Sequence, residues 1–385
     1  MSFTNKTFSY SFPTNIRFGV GVSSEIAVHL KAQKLRKPLI VTDSVVCELL
    51  FFDKICNELK SAGIIPEVFF DVQKNPLKSD VYKGDDAYKK GDCDCIIGIG
   101  GGVALDVARA IVLRINHRKD LFDYDDLLDG WKLVTEEVPY FITVPTTAGT
   151  GSEVGRSAVI SEDGTHRKRV LFSSKLIAKQ IFADPALTTD LPPLVTASTG
   201  MDALAHSVEA FLAKGFHPMA DGIALEAIKL IGESLEHAVL KPNMEVRSKM
   251  LIASLMGAVA FQKGLGIIHS LAHPLSTLID AHHGTAIAVM FPHGLAYNFS
   301  GNEKKYERLA EVLKISGSKG VGESLMEYIN EKNKLFSLPS KLHEIGVVNS
   351  HIEKLSQLAS QDFCLPCNPV EATKEDFIKI YNTAL

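Results

Sequence analysis

CIIGIGGGVALDVARAIVL, residues 95–113, is the stretch on which the fold turns. Its first six residues make a short apolar run of the kind that fills a strand buried on both faces, and residues 103–113 carry apolar side chains at helical spacing. Between them stand Gly100, Gly101 and Gly102, at a strand-to-helix turn where glycine lets a backbone come close to a ligand. The unpaired N–H groups of a helix's first turn and the positive end of its dipole suit a pyrophosphate at that point. The ordinary dinucleotide pattern G-x-G-x-x-G is absent, so a nucleotide here meets a different glycine arrangement.

The same rhythm extends outward from this stretch. Short apolar runs, PLIVTD (38–43), PEVFF (66–70) and YFITVP (140–145), alternate with helical patterns at 46–62, 79–91 and 103–115, which predicts a parallel sheet with crossover helices. After about residue 190 the strand signals stop. Amphipathic segments follow at 196–213, 220–239, 245–262 and 303–314; within 220–239, Ile223, Ala227, Ile228, Ile231 and Leu235 keep the helix period. Thr373 and Asp376 form a capping box that opens a last helix. The junction is ADPALTTDLPPL (183–194) with its three prolines. The expected organisation is an α/β dinucleotide-binding domain with a parallel sheet over 1–190, then an all-helical metal-binding domain over 191–385.

Composition fits a globular chain of about two domains, with 385 residues and 46% hydrophobic side chains. The net charge of −4 comes from 41 basic and 45 acidic residues without long runs, so no surface for nucleic acid or anionic lipid is expected. The first residues, MSFTNKTFSYSFPTN, lack an apolar core of signal-peptide length, and the longest apolar stretch, LIASLMGAVAF (251–261), falls short of a membrane span. A cytoplasmic location is expected. Six cysteines are too few for a disulfide scaffold, and Cys93-x-Cys95 and Cys364-x-x-Cys367 read as ordinary buried thiols ahead of metal or redox pairs.

Two further features bear on a cofactor. Asp43 ends PLIVTD, where a carboxylate accepts hydrogen bonds from a ribose 2′,3′-diol and repels a 2′-phosphate, favouring NAD over NADP; the competing reading is a cap on the following turn. PTTAGTGSEVG (145–155) follows another strand, is dense in hydroxyls and glycines, and reads as a second wall of the nucleotide site.

Histidines supply the rest of the chemistry. Eight of the 13 lie between 206 and 293. Asp202 and His206 are four apart in GMDALAHSVEAF and share a helix face, and His269 and His273 repeat that spacing in GLGIIHSLAHPL. His282 and His283 form a doublet before Gly284, and spacing alone leaves open which of them turns toward the same point. A carboxylate with imidazoles and no thiolate suits Fe²⁺, Zn²⁺, Mn²⁺ or Co²⁺ and differs from a structural zinc cage. A cation facing a nicotinamide points to alcohol oxidation or its reverse.

GIGGGVALDVARA, PTTAGTGSEV, GMDALAH and GLGIIHSLAHPL with HHG together resemble the iron-dependent, or group III, alcohol dehydrogenases, from IRFGVG (16–21) to NPVEAT (368–373). The resemblance implies Asp202, His206, His269 and His283 as metal ligands, His273 as a non-ligand histidine beside nicotinamide and substrate, and Asp43, Asn75, Gly101, Gly102, Thr146, Thr147, Thr150 and Lys168 along NAD. It implies Fe²⁺, with Zn²⁺ able to serve, a small alcohol or aldehyde substrate and a homodimer. This chain departs from the family pattern at Val103 and Arg109, where the family usually has Ser and Lys, at His282 for Pro, and at Gly155 for Thr. AFQKGLG, FHPMADGIALEA and NPVEAT look most like members acting on 4-hydroxybutyrate; Lys263 or Arg156 would then meet a substrate carboxylate, although both read more readily as structural cations. The competing classes are a dehydroquinate-synthase-like lyase that uses NAD transiently and a non-catalytic scaffold that keeps the fold.

Overall fold

The computed structural model describes residues 12, 14–316 and 320–385; the opening residues read above for a leader lie almost wholly outside them. The chain divides into two compact units. One comprises residues 14–147 and Gly151–Asp190, the other Leu191–Leu385 together with the short segment Ala148–Thr150. Segment 148–150, read with the first domain in the sequence, therefore belongs to the helical unit.

The first unit holds a six-stranded, wholly parallel sheet and a separate hairpin. The strands are β1 (Asn15–Phe18), β2 (Pro38–Val41), β3 (Glu67–Phe69), β4 (Cys95–Gly100), β5 (Tyr140–Pro145) and β8 (Gln180–Ala183), in the order β1-β8-β5-β4-β2-β3. Every residue of β2, β4 and β8 is buried, which explains their unbroken apolar runs. Ile40, Ile97, Ile99, Ile142 and Val144 join helix residues such as Leu30, Phe52 and Leu59 in one core. The antiparallel hairpin β6 (Ser157–Ser161) and β7 (Lys168–Phe172) carries no sequence signal noted above, and neither do the short strands β1 and β8.

Strand order sets the position of the ligand crevice. From β2 the chain moves outward to β3, and from β4 it moves the other way to β5, so the winding reverses between β2 and β4. In open α/β sheets that reversal parts the loops at the carboxyl ends of the strands and leaves a crevice there.

The second unit is helical. Its central helix, Pro193–Leu212, begins with a proline in its first turn and is buried on nearly all sides from Thr196 onward. It packs on helices Pro218–Leu240, Met244–Ala260 and His283–Asn298. Its small residues, among them Ala197, Gly200, Ala203 and Ala210, permit this packing on all sides, which explains a weaker amphipathic pattern than a surface helix shows. Among the described residues no single helix is long and apolar enough to cross a membrane; the bent pair Met244–Lys263 and Ile267–Ile279 passes that test jointly, but it is part of this packed bundle.

Candidate functional site

Helix spacing places the first two polar groups of the site. Asp202 and His206 lie one turn apart on Pro193–Leu212, and His206 Nδ1 is 3.8 Å from Asp202 Oδ1. His269 stands in the first turn of helix Ile267–Ile279 with Nε2 3.6 Å from the same oxygen. His283 Nε2 completes the group at 3.5 Å. His283 is the first residue of helix His283–Asn298 and not part of a loop, while its neighbour His282 is exposed. Gly284 makes this possible: a Cβ there would sit 2.5 Å from the carbonyl oxygen of Ser198, so only glycine lets the two helices approach closely enough.

The donors converge without bonding one another. Asp202 Oδ1, His206 Nδ1 and His269 Nε2 are buried and have no hydrogen-bond partner among the described residues. Orphaned buried polar atoms are costly. Four donors at about 2.1 Å from a tetrahedral cation would stand about 3.4 Å apart, close to the 3.5 to 3.8 Å that separate the three imidazole nitrogens from Asp202 Oδ1. Asp202, His269 and His283 each bring a ligand atom within 4.8 Å of the others, and His206, outside that trio, reaches the same Asp202 oxygen at 3.8 Å, so the donor chemistry fits a divalent cation of the Fe²⁺ or Zn²⁺ type.

Protonation in the cation-free protein follows the same logic. Burial pushes His206 down to about 4, against the partial opposition of the Asp202 charge, so this ring is neutral. Burial also acts against the Asp202 charge, yet the imidazoles of His206 and His283 and the contact from His269 hold the carboxyl well below its usual range. Burial pulls His269 down too, but Glu209 and Asp202 outweigh it and raise the ring to about 9. The His269 ring thus carries a proton on Nε2 as well as on Nδ1, and a cation must displace the Nε2 proton to gain that nitrogen.

Glu209 was not legible as a site residue. It lies two turns beyond Asp202 on the same helix, is 1% exposed, receives His269 Nδ1–H on Oε2, and accepts the Ile268 N–H on Oε1 at 2.7 Å. The carboxylate thereby fixes the His269 ring so that Nε2 faces Asp202, the usual outer support of a ligating histidine. Asn368 Oδ1 takes the next free N–H of that helix start, from Ile267, at 2.9 Å.

His273, one turn after His269, lies outside the four-donor group. Its Nδ1 is 2.8 Å from Asp362 Oδ2, and its ring stacks near those of Phe363 and His283. Asp362 is a second residue the sequence did not offer. Burial would raise its carboxyl, but His273, the Cys364 N–H and the Ser270 hydroxyl hold it below the ordinary range.

In the α/β unit the crevice gathers most of the proposed nucleotide residues. Gly101 is the N-cap and Gly102 the first residue of helix Gly102–Asn116, whose start no side chain caps. Gly100 closes β4 at φ +150°, and a Cβ there would lie 2.7 Å from the Ala104 Cβ. Asp43 follows β2; its Oδ1 caps the next helix through Val45 and Val46 N–H at 3.0 and 2.9 Å, while Oδ2 lies 3.5 Å from that same Cβ position on Gly100. The cap reading of Asp43 thus holds for one oxygen, while the other faces the glycine turn. Thr146 N–H bonds Gly100 O at 3.0 Å, and Thr147 Cγ2 is 3.4 Å from the Cβ position on Gly101. Asn75 sits on the loop after β3, next to β2 in the sheet, and Asp80 Oδ2 braces that loop through the N–H groups of Gln73 and Leu77. Lys168 opens β7, and Thr150 belongs to the helical unit, so these two are not part of the β2/β4/β5 group.

Comparison with known proteins agrees with this architecture. The model for iron-containing alcohol dehydrogenases matches residues 13–185, and the one for the C-terminal region of the same family matches 196–385. The chain belongs to the iron-containing alcohol dehydrogenase family. It is 33% identical to an NAD-dependent methanol dehydrogenase of Bacillus methanolicus over 98% of this chain and 100% of that protein. It is 34% identical to a 4-hydroxybutyrate dehydrogenase of Cupriavidus necator over 97% and 98%. The crystal structure of a 1,3-propanediol oxidoreductase superposes with a TM-score of 0.93 at 32% identity, covering 99% of this chain and all of that one.

Two cations of this iron-containing alcohol dehydrogenase, one of them at a departure from the family pattern, acquire a physical meaning. Arg109 is fully buried and donates to Leu176 O, Asp106, Ser152 and Ser157 O, so it ties helix Gly102–Asn116 to the loop after β5 and to the hairpin, instead of facing a phosphate. Lys263 is bound to Asp221 Oδ1 and, at 3.1 Å, to Phe211 O at the end of the Asp202 helix, where Lys305 also donates to Phe211 O and Leu212 O at 2.8 and 3.0 Å. These cations satisfy the last carbonyls of that helix. All six thiols are free, Cys93, Cys95, Cys364 and Cys367 included.

Proposed function

We propose that this enzyme transfers a hydride between a small primary alcohol, or an ω-hydroxy acid such as 4-hydroxybutyrate, and NAD, with a divalent iron or zinc ion held by Asp202, His206, His269 and His283. The observation that carries this reading is the placing of three imidazole nitrogens 3.5 to 3.8 Å from one buried, orphaned oxygen of Asp202, with Glu209 orienting His269 behind it. When bound, the cation polarises the substrate oxygen and stabilises the charge that builds on it.

The chain's own residues have separate tasks. Asp202 and the imidazoles keep their donor atoms aimed inward by packing and by Glu209, so little reorganisation accompanies loading. Gly101, Gly102 and the uncapped helix start receive the pyrophosphate, Asp43 receives the ribose diol, and Asn75, Thr146, Thr147, Thr150 and Lys168 line the rest of the cofactor. His273 stands by the reacting carbon and moves the hydroxyl proton through its Nε2 atom. The alcohol loses its carbon-bound hydrogen with two electrons to the nicotinamide and its hydroxyl proton to the protein, and the products are aldehyde, NADH and a proton. Because Lys263 is already engaged by Asp221, the carboxylate of an ω-hydroxy acid has Arg156 as its remaining candidate cation.

Chelator-treated protein should lose alcohol-dependent NADH formation and regain it with Fe²⁺ or Zn²⁺ across ethanol, 1,3-propanediol, 4-hydroxybutyrate and choline. Full activity after Asp202→Ala or His269→Ala would refute the metal role, and turnover without net NADH would favour the lyase class. We also propose a cytoplasmic homodimer: free thiols suit a reducing compartment, and light scattering reads the mass.

A further inference from the structure

His273 is held by contacts that decide which of its nitrogens carries the proton. Its Nδ1 lies 2.8 Å from Asp362 Oδ2, and the side chain of Asp362 is 8% exposed. The other oxygen of that carboxylate, Oδ1, takes the Cys364 N–H at 2.9 Å and stands 3.0 Å from the Ser270 hydroxyl, which shares its single proton between Asp362 and Gly266 O. An ionised carboxylate only accepts hydrogen bonds. The Asp362 contact therefore requires the proton on Nδ1 of His273, and in the neutral ring the lone pair is left on Nε2. The ring is oriented as well: Phe363 stacks against it at 5.0 Å between centroids and 27° between planes, and His283 at 5.4 Å and 17°.

We propose that Asp362 is the positioning residue of the reaction: by holding the proton on Nδ1 of His273, it presents Nε2 as the nitrogen that receives the alcohol's hydroxyl proton and returns it in the reverse direction. This deepens the function proposed above and rests on its placement of His273 beside the substrate. In the oxidation the alcohol O–H bond breaks and an Nε2–H bond forms, the carbon-bound hydrogen leaves with its electron pair to NAD⁺, and His273 then passes the proton to solvent. Asp362 offsets the positive charge on the ring while it carries the second proton, and undergoes no covalent change. Ser270 and the Cys364 N–H fix which oxygen of Asp362 faces the ring.

Asp362→Asn tests the assignment because it keeps the volume and reverses the hydrogen-bond sense. The amide oxygen is claimed by the Cys364 N–H and the Ser270 hydroxyl, so the NH₂ group turns to His273 and moves its proton to Nε2. Alcohol-dependent kcat/KM should fall on the order of 10²-fold, the low end of what positioned proton transfer contributes, with bound zinc and NAD⁺ affinity retained. In a His273→Ala background the same substitution should add less than about twofold, because a residue that acts only through His273 has nothing left to position. In ¹⁵N-histidine-labelled, zinc-loaded enzyme without any substitution, the His273 resonances should be those of an Nδ1–H ring, a readout that needs no variant to fold. The proposal is overturned if that ring is protonated on Nε2, if Asp362→Asn leaves kcat/KM unchanged, or if its loss persists undiminished in the His273→Ala background. A fully active His273→Ala enzyme would sink the underlying placement of His273, while the nitrogen resonances would still decide what Asp362 does to the ring.

Discussion

Replacing Gly284 with alanine probes the packing on which the four-donor group depends. The new Cβ would lie 2.5 Å from the Ser198 carbonyl oxygen and 2.7 Å from its carbon, both backbone atoms of the helix that carries Asp202. Ordinary contact begins at 3.4 Å, so the start of helix His283–Asn298 must withdraw by about 0.9 Å. His283 is the adjacent residue, and a metal–ligand bond tolerates only about 0.2 Å of error. The strain of such overpacking is about 1–3 kcal/mol, equivalent to roughly 5- to 150-fold in an equilibrium constant. If the cation-free protein relaxes by moving the helix, the whole penalty appears as weaker metal binding. If it does not relax, the penalty appears in its thermal stability. Competitive chelator titration of Zn²⁺ and a melting curve of the cation-free variant together capture both routes. An unchanged Zn²⁺ Kd together with an unchanged Tm would refute the claim that Gly284 sets the approach of these helices.

Three other outcomes are expected. Glu209→Gln offers one acceptor where Ile268 N–H and His269 Nδ1–H need two, so Zn²⁺ affinity should drop by about 10- to 100-fold with the fold retained; chelator competition measures it, and parental affinity would contradict the role given to Glu209. Asp43→Ser keeps a helix cap but removes the charge that repels a 2′-phosphate, so the NAD over NADP preference in kcat/KM should shrink by on the order of tenfold or more, a factor of ten being about 1.4 kcal/mol; a steady ratio would leave Asp43 as a cap alone. Glu153 is buried with Oε1 unpartnered, and burial pushes its carboxyl up to about 7. Its folded pKa lies above the unfolded value of 4.5, so its support of the fold is complete below that value and is lost as pH rises from there through about 7. Glu153→Gln, neutral throughout, should then exceed the parent by up to about 3 kcal/mol near pH 8 and match it at about pH 3.5; denaturant melts giving equal gaps at both pH values would show that ionisation plays no part.

The sequence by itself determined whatever depends on neighbours along the chain. The i, i+4 spacing of Asp202 and His206 puts both on one helix face, and the buried run ending in Gly100–Gly102 makes a strand-to-helix turn, because period and backbone freedom are local properties. Strand β4 and the placement of Asp43 at the end of β2 are legible for the same reason. Tertiary structure alone decided the residues that act at a distance. Glu209 reaches His269 across 60 residues of chain, and Asp362 reaches His273 across 89. No spacing rule spans such gaps, since the contacts exist only once particular helix faces have packed. The same holds for Arg109 and Lys263, whose donors are taken up by Ser152 and Asp221, and for the burial of the His283 helix start, which Gly284 admits against Ser198. Side-chain chemistry can be read along a chain, but which buried polar groups must satisfy one another is decided by close packing in three dimensions.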